Sequence, residues 1–385
     1  MKAGWEIKTL NQIAENLDNK RVPITKLART EGQYPYYGAS GIVDYVASYI
    51  FEGDTLLISE DGANLLARST PIAFPATGRY WVNNHAHIIK FDNLITQRFV
   101  ELFFESIPLD DYITGAAQPK LNQKALNSIP IPVPPLSEQQ RIVSILDQAF
   151  ESIAKARANA EQNLKNARAL FESHLQSVFT QRGEEWEVKT LSEVCEIKPP
   201  KNEAKKILNN SDLVSFAPME DLGINQKYLN TIKQRALEDV AGSYTYFAEG
   251  DVLLAKITPC FENGKLGIAK NLTNGIGFGS SEYIVFRPNK SLSNEFLYYF
   301  LSRKYFIEEG AQRMSGAVGH KRVSKEFIES YKIAFPSIDK QIELIKKTDA
   351  LANESQRLEA LYQRKIACLD DLKKSLLQQA FAGEL

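Results

Sequence analysis

Two short loops hold the side chains best suited to chemistry with a partner. In one, Gln118, Lys120, Asn122 and Lys124 follow Gly115; in the other, Arg313, Ser315, His320, Lys321 and Arg322 surround Gly316 and Gly319. Amide and guanidinium groups on loops loosened by glycine suit hydrogen bonding to base edges in a DNA major groove. Neighbouring Lys and Ser suit phosphate contacts that fix register. The plainer reading of each residue is an exposed loop with ordinary solubilising charge. Should the reading surface lie elsewhere, residues 59–68 and 256–265 come next, with Arg68 and Lys256 as their candidates.

Catalysis finds no comparable support. No G-x-G-x-x-G or P-loop spacing is present to cradle a nucleotide. "KPPK" at Lys198–Lys201 lacks the Asn or Asp and the aromatic residue of an amino-methyltransferase Asn-Pro-Pro-Tyr motif. His85 and His87, two apart, would share a strand face and could be half a metal site. No Cys or acidic residue is spaced to complete it, and the matching residues later in the chain read as Ser281 and Tyr283. A polar surface pair is the expectation, with no metal ligand and no catalytic residue assigned. Asp110-Asp111 and Glu308-Glu309 read as solvated helix ends, and Tyr36, Tyr37 and Tyr45 as core or strand-face aromatics.

The elements that position the two loops are announced by an internal repeat, which sets the architecture. An offset of 202 residues lays Leu121 on Val323, Pro134 on Pro336, Gln139 on Gln341, Asp147 on Asp349 and Phe179 on Phe381 without a gap. A second echo precedes each copy, "WEIKTL" at Trp5–Leu10 and "WEVKTL" at Trp186–Leu191. The repeated segment is helical: residues 137–179 contain no Pro or Gly, and "IPIPVPPL" just before them cannot lie inside a helix. Ser137 with Gln140 has the capping-box pattern, and Glu138 favours the N-terminal dipole. Roughly 43 residues would make a rod of about 64 Å.

Apolar residues in that helix alternate four and three apart, at Ile142, Leu146, Ala149, Ile153, Ala156, Ala160, Ala167 and Leu170. The second copy offers Leu344, Leu351, Leu358, Tyr362, Leu369, Leu372 and Leu376. This spacing is that of a coiled-coil seam, with an alanine-rich helix against a leucine-rich one. The alternative is two independent core helices.

Ahead of each helix lies a strand-rich globule. In the first, "WEIKTLNQIAENL" reads as a short amphipathic start, residues 55–59 as a strand, "WVNNHAHIIKF" as another, and "TQRFVELFFESI" as a helix. In the second, "EGDVLLAKITPC", "SSEYIVFRP" and "SNEFLYYFLSR" answer these elements in order. The frame repeats and the turns do not, as expected when a scaffold is kept and its recognition surface varies.

At 385 residues the chain is long enough for two or three domains with proper cores. Three distant cysteines, an odd number, suit a reducing cytoplasm and not a disulfide framework. No signal-peptide core or membrane-length apolar run appears. Charge is balanced: residues 1–136 carry 12 Lys/Arg against 14 Asp/Glu, and residues 184–336 carry 20 against 20. A free-standing DNA binder normally shows a net basic face, so cations must cluster locally or a partner must supply much of the phosphate contact.

A globule opening on "WEVKTL", then "IPVPPLSEQQRIV" and a long helix, twice over, with the ending "LLQQAFAGEL", resembles the specificity (S) subunit of Type I restriction–modification systems over essentially the entire chain. The second copy departs, since "FPSIDKQIELI" keeps Pro336 and Gln341 but sets Lys340 where Glu138 stands. The resemblance implies an α+β fold: two target recognition domains, residues 1–136 and 184–336, held apart by antiparallel coiled-coil helices at 137–183 and 337–385. Each domain would read one half of a bipartite site in double-stranded DNA, and the helices would set the spacing and dock two modification subunits. Pro135, Glu138, Gln139 and Arg141 are the docking candidates. S-adenosylmethionine for adenine methylation and ATP for cutting would belong to modification and restriction subunits, leaving this chain a non-catalytic, cofactor-free reader. The alternative is a free-standing DNA-binding regulator or scaffold without a methyltransferase partner.

Overall fold

A computed structural model describes residues 4–115, 117–181, 183–230, 233–317 and 319–385. The chain divides into two compact units, Met1–Glu161 with Gln363–Leu385 and Gln162–Tyr362. The division therefore cuts both long helices, Leu136–Thr180 and Ile338–Ala382, and gives each globule the helix ends that pack on it. In the first unit Ile142, Val143, Leu146, Leu377 and Ala380 join the core around Trp5, Phe99 and Phe104. In the second, Leu175, Phe179 and Ile345 join the core around Phe296, Phe300 and Phe306.

Each unit repeats one topology. The first has a four-stranded sheet in the order Glu15–Asn16, Ala86–Lys90, Thr55–Ser59, Ala73–Ala76. A second sheet runs Gly41–Val46, Glu31–Gly38, Arg79–Val82, Phe51–Glu52. The second unit answers with Cys195–Ile197, Tyr283–Pro288, Val252–Ala255, Leu266–Ile268. Its other sheet runs Gln234–Ala236, Leu213–Ala217, Ile276–Gly279, Thr245–Ala248. In each unit the second sheet contains one parallel pairing.

The echo "WEIKTL"/"WEVKTL" has a structural purpose. Glu6–Lys8 pairs antiparallel with Ile131–Val133, and Glu187–Thr190 with Lys332–Phe335. Each pair closes its globule directly before the long helix, and Pro132 is tolerated because the ribbon has only two strands. The expected amphipathic start at residues 5–17 is thus a strand followed by a 3₁₀ turn, Leu10–Gln12. Thr9 and Gln12 cap that turn reciprocally, as Thr190 and Glu193 do in the second unit. "WVNNHAHIIKF" is two strands, broken where Asn83 turns its side-chain oxygen to the His85 amide.

The long helix opens at Leu136, one residue before Ser137, with the Pro135 carbonyl accepting from the Glu138 and Gln139 amides. Within each unit the helix segments run antiparallel. Arg157 bonds Asp370 in the first. In the second, Arg168 bonds Glu359 at 2.8 Å and the Ser355 hydroxyl donates to the Ala167 carbonyl at 2.9 Å.

The seam differs from the expected one. Ile142, Leu146, Ile153, Ala160 and Ala167 are buried, but Leu170 and Leu372 are exposed, and Leu344, Leu351 and Leu358 only half-buried. The buried line of the second helix starts at Gln341, Thr348 and Ser355, seven residues apart. A small hydroxylated residue lets two helix backbones approach: Ser355 donates its hydroxyl to the facing Ala167 carbonyl, and the Thr348 hydroxyl lies 3.2 Å from His174 Nε2. An apolar-period search passes over such positions.

Candidate nucleic-acid interface

In the first unit the loop after Ile113 is drawn shut by Thr114 and Lys120, whose amides and carbonyls exchange bonds of 2.9 and 2.7 Å. Two further bonds pin it to the segment after strand Thr55–Ser59: Gly62 N–H to the Pro119 carbonyl, 3.0 Å, and Leu121 N–H to the Glu60 carbonyl, 2.7 Å. Gly115 has φ +86°, and a Cβ there would stand 2.4 Å from the Gln118 carbonyl. No L side chain fits that turn.

The loop brings Gln118 and Lys120 together on the exposed side, with Lys124 exposed on the following helix, Gln123–Ser128. Asn122 caps that helix, accepting from the Ala125 amide at 3.0 Å. Arg68 is engaged elsewhere: its guanidinium donates to the Phe104 and Ile107 carbonyls at 2.9 and 2.5 Å, tying down the end of helix Leu94–Ser106. Burial pulls its pKa down.

Beneath this loop lies an ionic cluster that sequence spacing did not reveal. Lys120 Nζ is 3.2 Å from Glu60, and Glu60 accepts from Arg21 Nη1 at 2.6 Å. His87, 1 % exposed, faces Asp18 through Nδ1 at 2.5 Å and the Leu121 carbonyl through Nε2 at 2.8 Å. Burial pushes both carboxyls up. It is outweighed for Asp18 by the His87 bond and charge, and for Glu60 by the Arg21 bond and the His87 charge, so both titrate below their ordinary values. Donor atoms of Asp18, Glu60 and His87 lie within 4.8 Å of one another, a spacing a metal could use. Arg21 and Lys120 already supply the positive charge there, so we read an ion-pair network that braces the loop. His85, half-exposed, bonds Asp61 at 2.8 Å, so the two histidines serve different carboxylates. The cluster draws residues 18–21, 60, 87 and 120 from four separated segments, which leaves no local motif to find.

The second unit rebuilds the same backbone with different side chains. Ser315 and Arg322 exchange bonds of 3.1 and 2.9 Å, and Val323 N–H donates to the Lys256 carbonyl at 3.0 Å. Thr258 N–H reaches the Lys321 carbonyl at 3.0 Å. Lys120 therefore answers to Arg322 and Glu60 to Lys256. Ladder register pairs Ile58 with His87 and Leu254 with Ile284, so His87 matches Ile284 and His85 matches Glu282. The expected partners Ser281 and Tyr283 lie one position away.

Arg322 makes a two-point bond to Glu282, Nε to Oε2 at 2.9 Å and Nη2 to Oε1 at 2.8 Å. That bond holds the Glu282 carboxyl below its usual range. Lys256 donates to the Ser281 carbonyl at 2.9 Å, and burial lowers its pKa. Ser315, His320 and Lys321 are exposed beside them, and Arg313 pairs with Glu309 at 2.7 Å.

Of the docking candidates, Pro135 is exposed, and Glu138 pairs with Arg141 at 2.7 Å on the helix surface. Gln139 is buried: it accepts from the Thr96 hydroxyl and donates to the Pro134 carbonyl, each at 2.8 Å. It fastens the helix to its own globule and offers nothing to a partner.

Among the described residues no helix is long and apolar enough to cross a membrane. A family model described as the Type I restriction modification DNA specificity domain matches twice, at residues 2–164 and 183–364. A Haemophilus influenzae relative named as a type I restriction enzyme specificity subunit is 27 % identical over 358 residues, 90 % of this chain and 88 % of its own length. The Escherichia coli EcoAI specificity subunit is 34 % identical over 186 residues, 48 % of this chain and 30 % of that protein. The HsdS subunit of Thermoanaerobacter tengcongensis shares the fold with TM-score 0.58 at 18 % identity, covering 100 % of this chain and 98 % of that one.

Proposed function

The chain belongs to the Type I restriction–modification DNA specificity family, and from that premise we propose that each globule reads its own half of a bipartite site through its pinned loop. The carrying observation is one backbone frame dressed with unlike side chains: Lys120 over Glu60 in the first unit, Arg322 and Lys256 over Glu282 in the second. Gln118, Lys120 and Lys124 are the proposed contacts of the first domain; Arg313, Ser315, His320, Lys321 and Arg322 those of the second, with Lys256 behind them. A specificity subunit is itself non-catalytic. Modification subunits carrying S-adenosylmethionine, and restriction subunits using ATP, would dock in the cytoplasm, the former on the helix surface around Pro135, Glu138 and Arg141.

Near-balanced charge fits this reading, because partners can share the backbone contacts. Mapping methylated adenines in the source genome with and without this gene tests it. Loss of one two-part motif is expected. An unchanged methylation map, with intact DNA affinity in a gel shift without modification subunits, would favour a free-standing regulator instead.

A further inference from the structure

We infer that Glu282 is a positioning residue that presents Arg322 to a guanine in the second half-site; this rests on the proposal that the second loop reads DNA. A guanidinium has five N–H donors. Three are placed: Nε and Nη2 on Glu282, and Nη1 on the His320 carbonyl at 3.2 Å. Two remain, one on Nη1 and one on Nη2, the neighbouring nitrogens at the end of the group. The side chain is 46 % exposed. Two parallel donors match the O6 and N7 acceptors of guanine, and no other base edge in the major groove presents two adjacent acceptors.

The loop itself supports the aim. Ser315 and Arg322 lock its base by paired backbone bonds. Gly316, at φ +128°, has no room for a Cβ beside the His320 carbonyl, 2.9 Å away. Backbone and carboxylate together therefore fix both ends of the arginine before DNA arrives, which lowers the ordering cost of the contact. Glu282 has a second consequence. It neutralises Arg322, so the pair adds little to attraction for phosphates of any sequence.

The first unit pairs its loop cation too, Lys120 with Glu60, but from a different place in the frame. Glu60 stands where Lys256 does, whereas Glu282 stands where His85 does. A loop cation with a carboxylate behind it thus arises twice from unmatched positions. The ammonium of Lys120 has no fork, so the guanine assignment belongs to the second unit alone.

The test selects bound duplexes from a randomised library with the full chain assembled with its modification subunits, comparing wild type, Arg322→Ala and Glu282→Gln. Arg322→Ala should relax one guanine of the second half-site, about tenfold in discrimination. Glu282→Gln should relax the same position, raise affinity for scrambled duplex and steepen the salt dependence by about one unit of slope. An unchanged second half-site in Arg322→Ala would overturn the inference; if Arg313→Ala with Lys321→Ala also leaves it unchanged, the loop is off the DNA and the functional reading falls with it. Relaxation at a base other than guanine, or relaxation by Arg322→Ala with none by Glu282→Gln, would overturn the inference alone. The rest of the second half-site is the internal control for folding of that unit. If the Gln variant loses it, Glu282→Asp, shorter but still charged, replaces that variant: relaxation of the same guanine supports the inference and an intact guanine overturns it.

Discussion

Gln139 and Gln341 do the same work in the two units. Each donates its amide at 2.8 Å to the carbonyl of the proline five residues before it, Pro134 and Pro336. Each accepts from the globule with its Oε1, Gln139 from the Thr96 hydroxyl and Gln341 from the Ser293 amide, both at 2.8 Å. A second clasp follows two turns on. Asp147 takes Arg98 at 2.6 Å, and Asp349 takes Lys227 at 2.7 Å with the Tyr299 hydroxyl beside it. Two of the residues held constant at the 202-residue offset, the glutamine and the aspartate, thus join helix to globule in both units.

Gln139→Ala and Gln341→Ala should each destabilise their own unit by about 1–3 kcal/mol, because each leaves buried polar groups without partners. Denaturant unfolding followed by tryptophan fluorescence measures this. A cost below half that range for both would mean that water replaces the clasp.

Acid should attack the first unit at Asp18 and Glu60. Both carboxyls titrate below their ordinary values in the folded chain. A depressed carboxyl stabilises above its unfolded pKa, and that contribution disappears as pH falls through the folded value. Stability should hold down to about pH 4 and then fall. Asp18→Asn should cost about 1–3 kcal/mol at neutral pH and flatten the acid limb. Circular dichroism melts across a pH series decide it; an acid limb identical to wild type would place the sensitive groups elsewhere.

The repeat, the strand-rich globules and the long helices were legible because each rests on a local pattern: an unbroken offset, alternation, and a stretch without Pro or Gly. The loops carrying Lys120 and Arg322 were legible from their glycines. What escaped was long-range and polar. Ser355 and Thr348 are buried where a heptad search expects leucine, and Glu282 became visible only once strand register placed it opposite Arg322. Arg68 and Gln139 look like ordinary exposed polar residues in sequence, and only tertiary contacts show their side chains already committed.

The cysteines offer a test of packing in the second unit. Burial pushes the Cys195 thiol up to about 12, whereas Cys368, in the first unit, is exposed. A thiol reagent at pH 8 should label Cys368 quickly and Cys195 only after unfolding, since the thiolate is the reactive form. Fast native labelling of Cys195, read by peptide mass, would contradict its place in the core of the second unit.

Glu138→Lys with Arg141→Glu should lower assembly with a modification subunit while the chain stays folded. The pair bonds across one helical turn, so exchanging the charges keeps an ion pair and reverses the surface a partner meets. Arg141 also donates to the Leu385 carbonyl, so the melt of the isolated variant is the control for local damage. A normal complex on size-exclusion chromatography would move the docking surface off this turn.

Exchanging the first globule for that of another family member should change one half of the target and leave the other intact. The place of the cut follows from the contacts. Strand Ile131–Val133 pairs with Glu6–Lys8, so both must come from the same donor, and the junction belongs after Val133. Among the described residues three polar side-chain contacts then cross the junction, Thr96 with Gln139, Arg98 with Asp147, and Glu105 with Lys373, beside the apolar packing of Phe381 on Phe99 and Phe103. A donor keeping residues of the same type at those three places should fold with the resident helices; one lacking them should express poorly, whatever its loop. Sites selected by the exchanged chain, assembled with its modification subunits, should differ in the first half only, because the loop of residues 114–121 and its ionic support lie wholly inside the exchanged segment. A change in both halves would mean that the domains do not read independently.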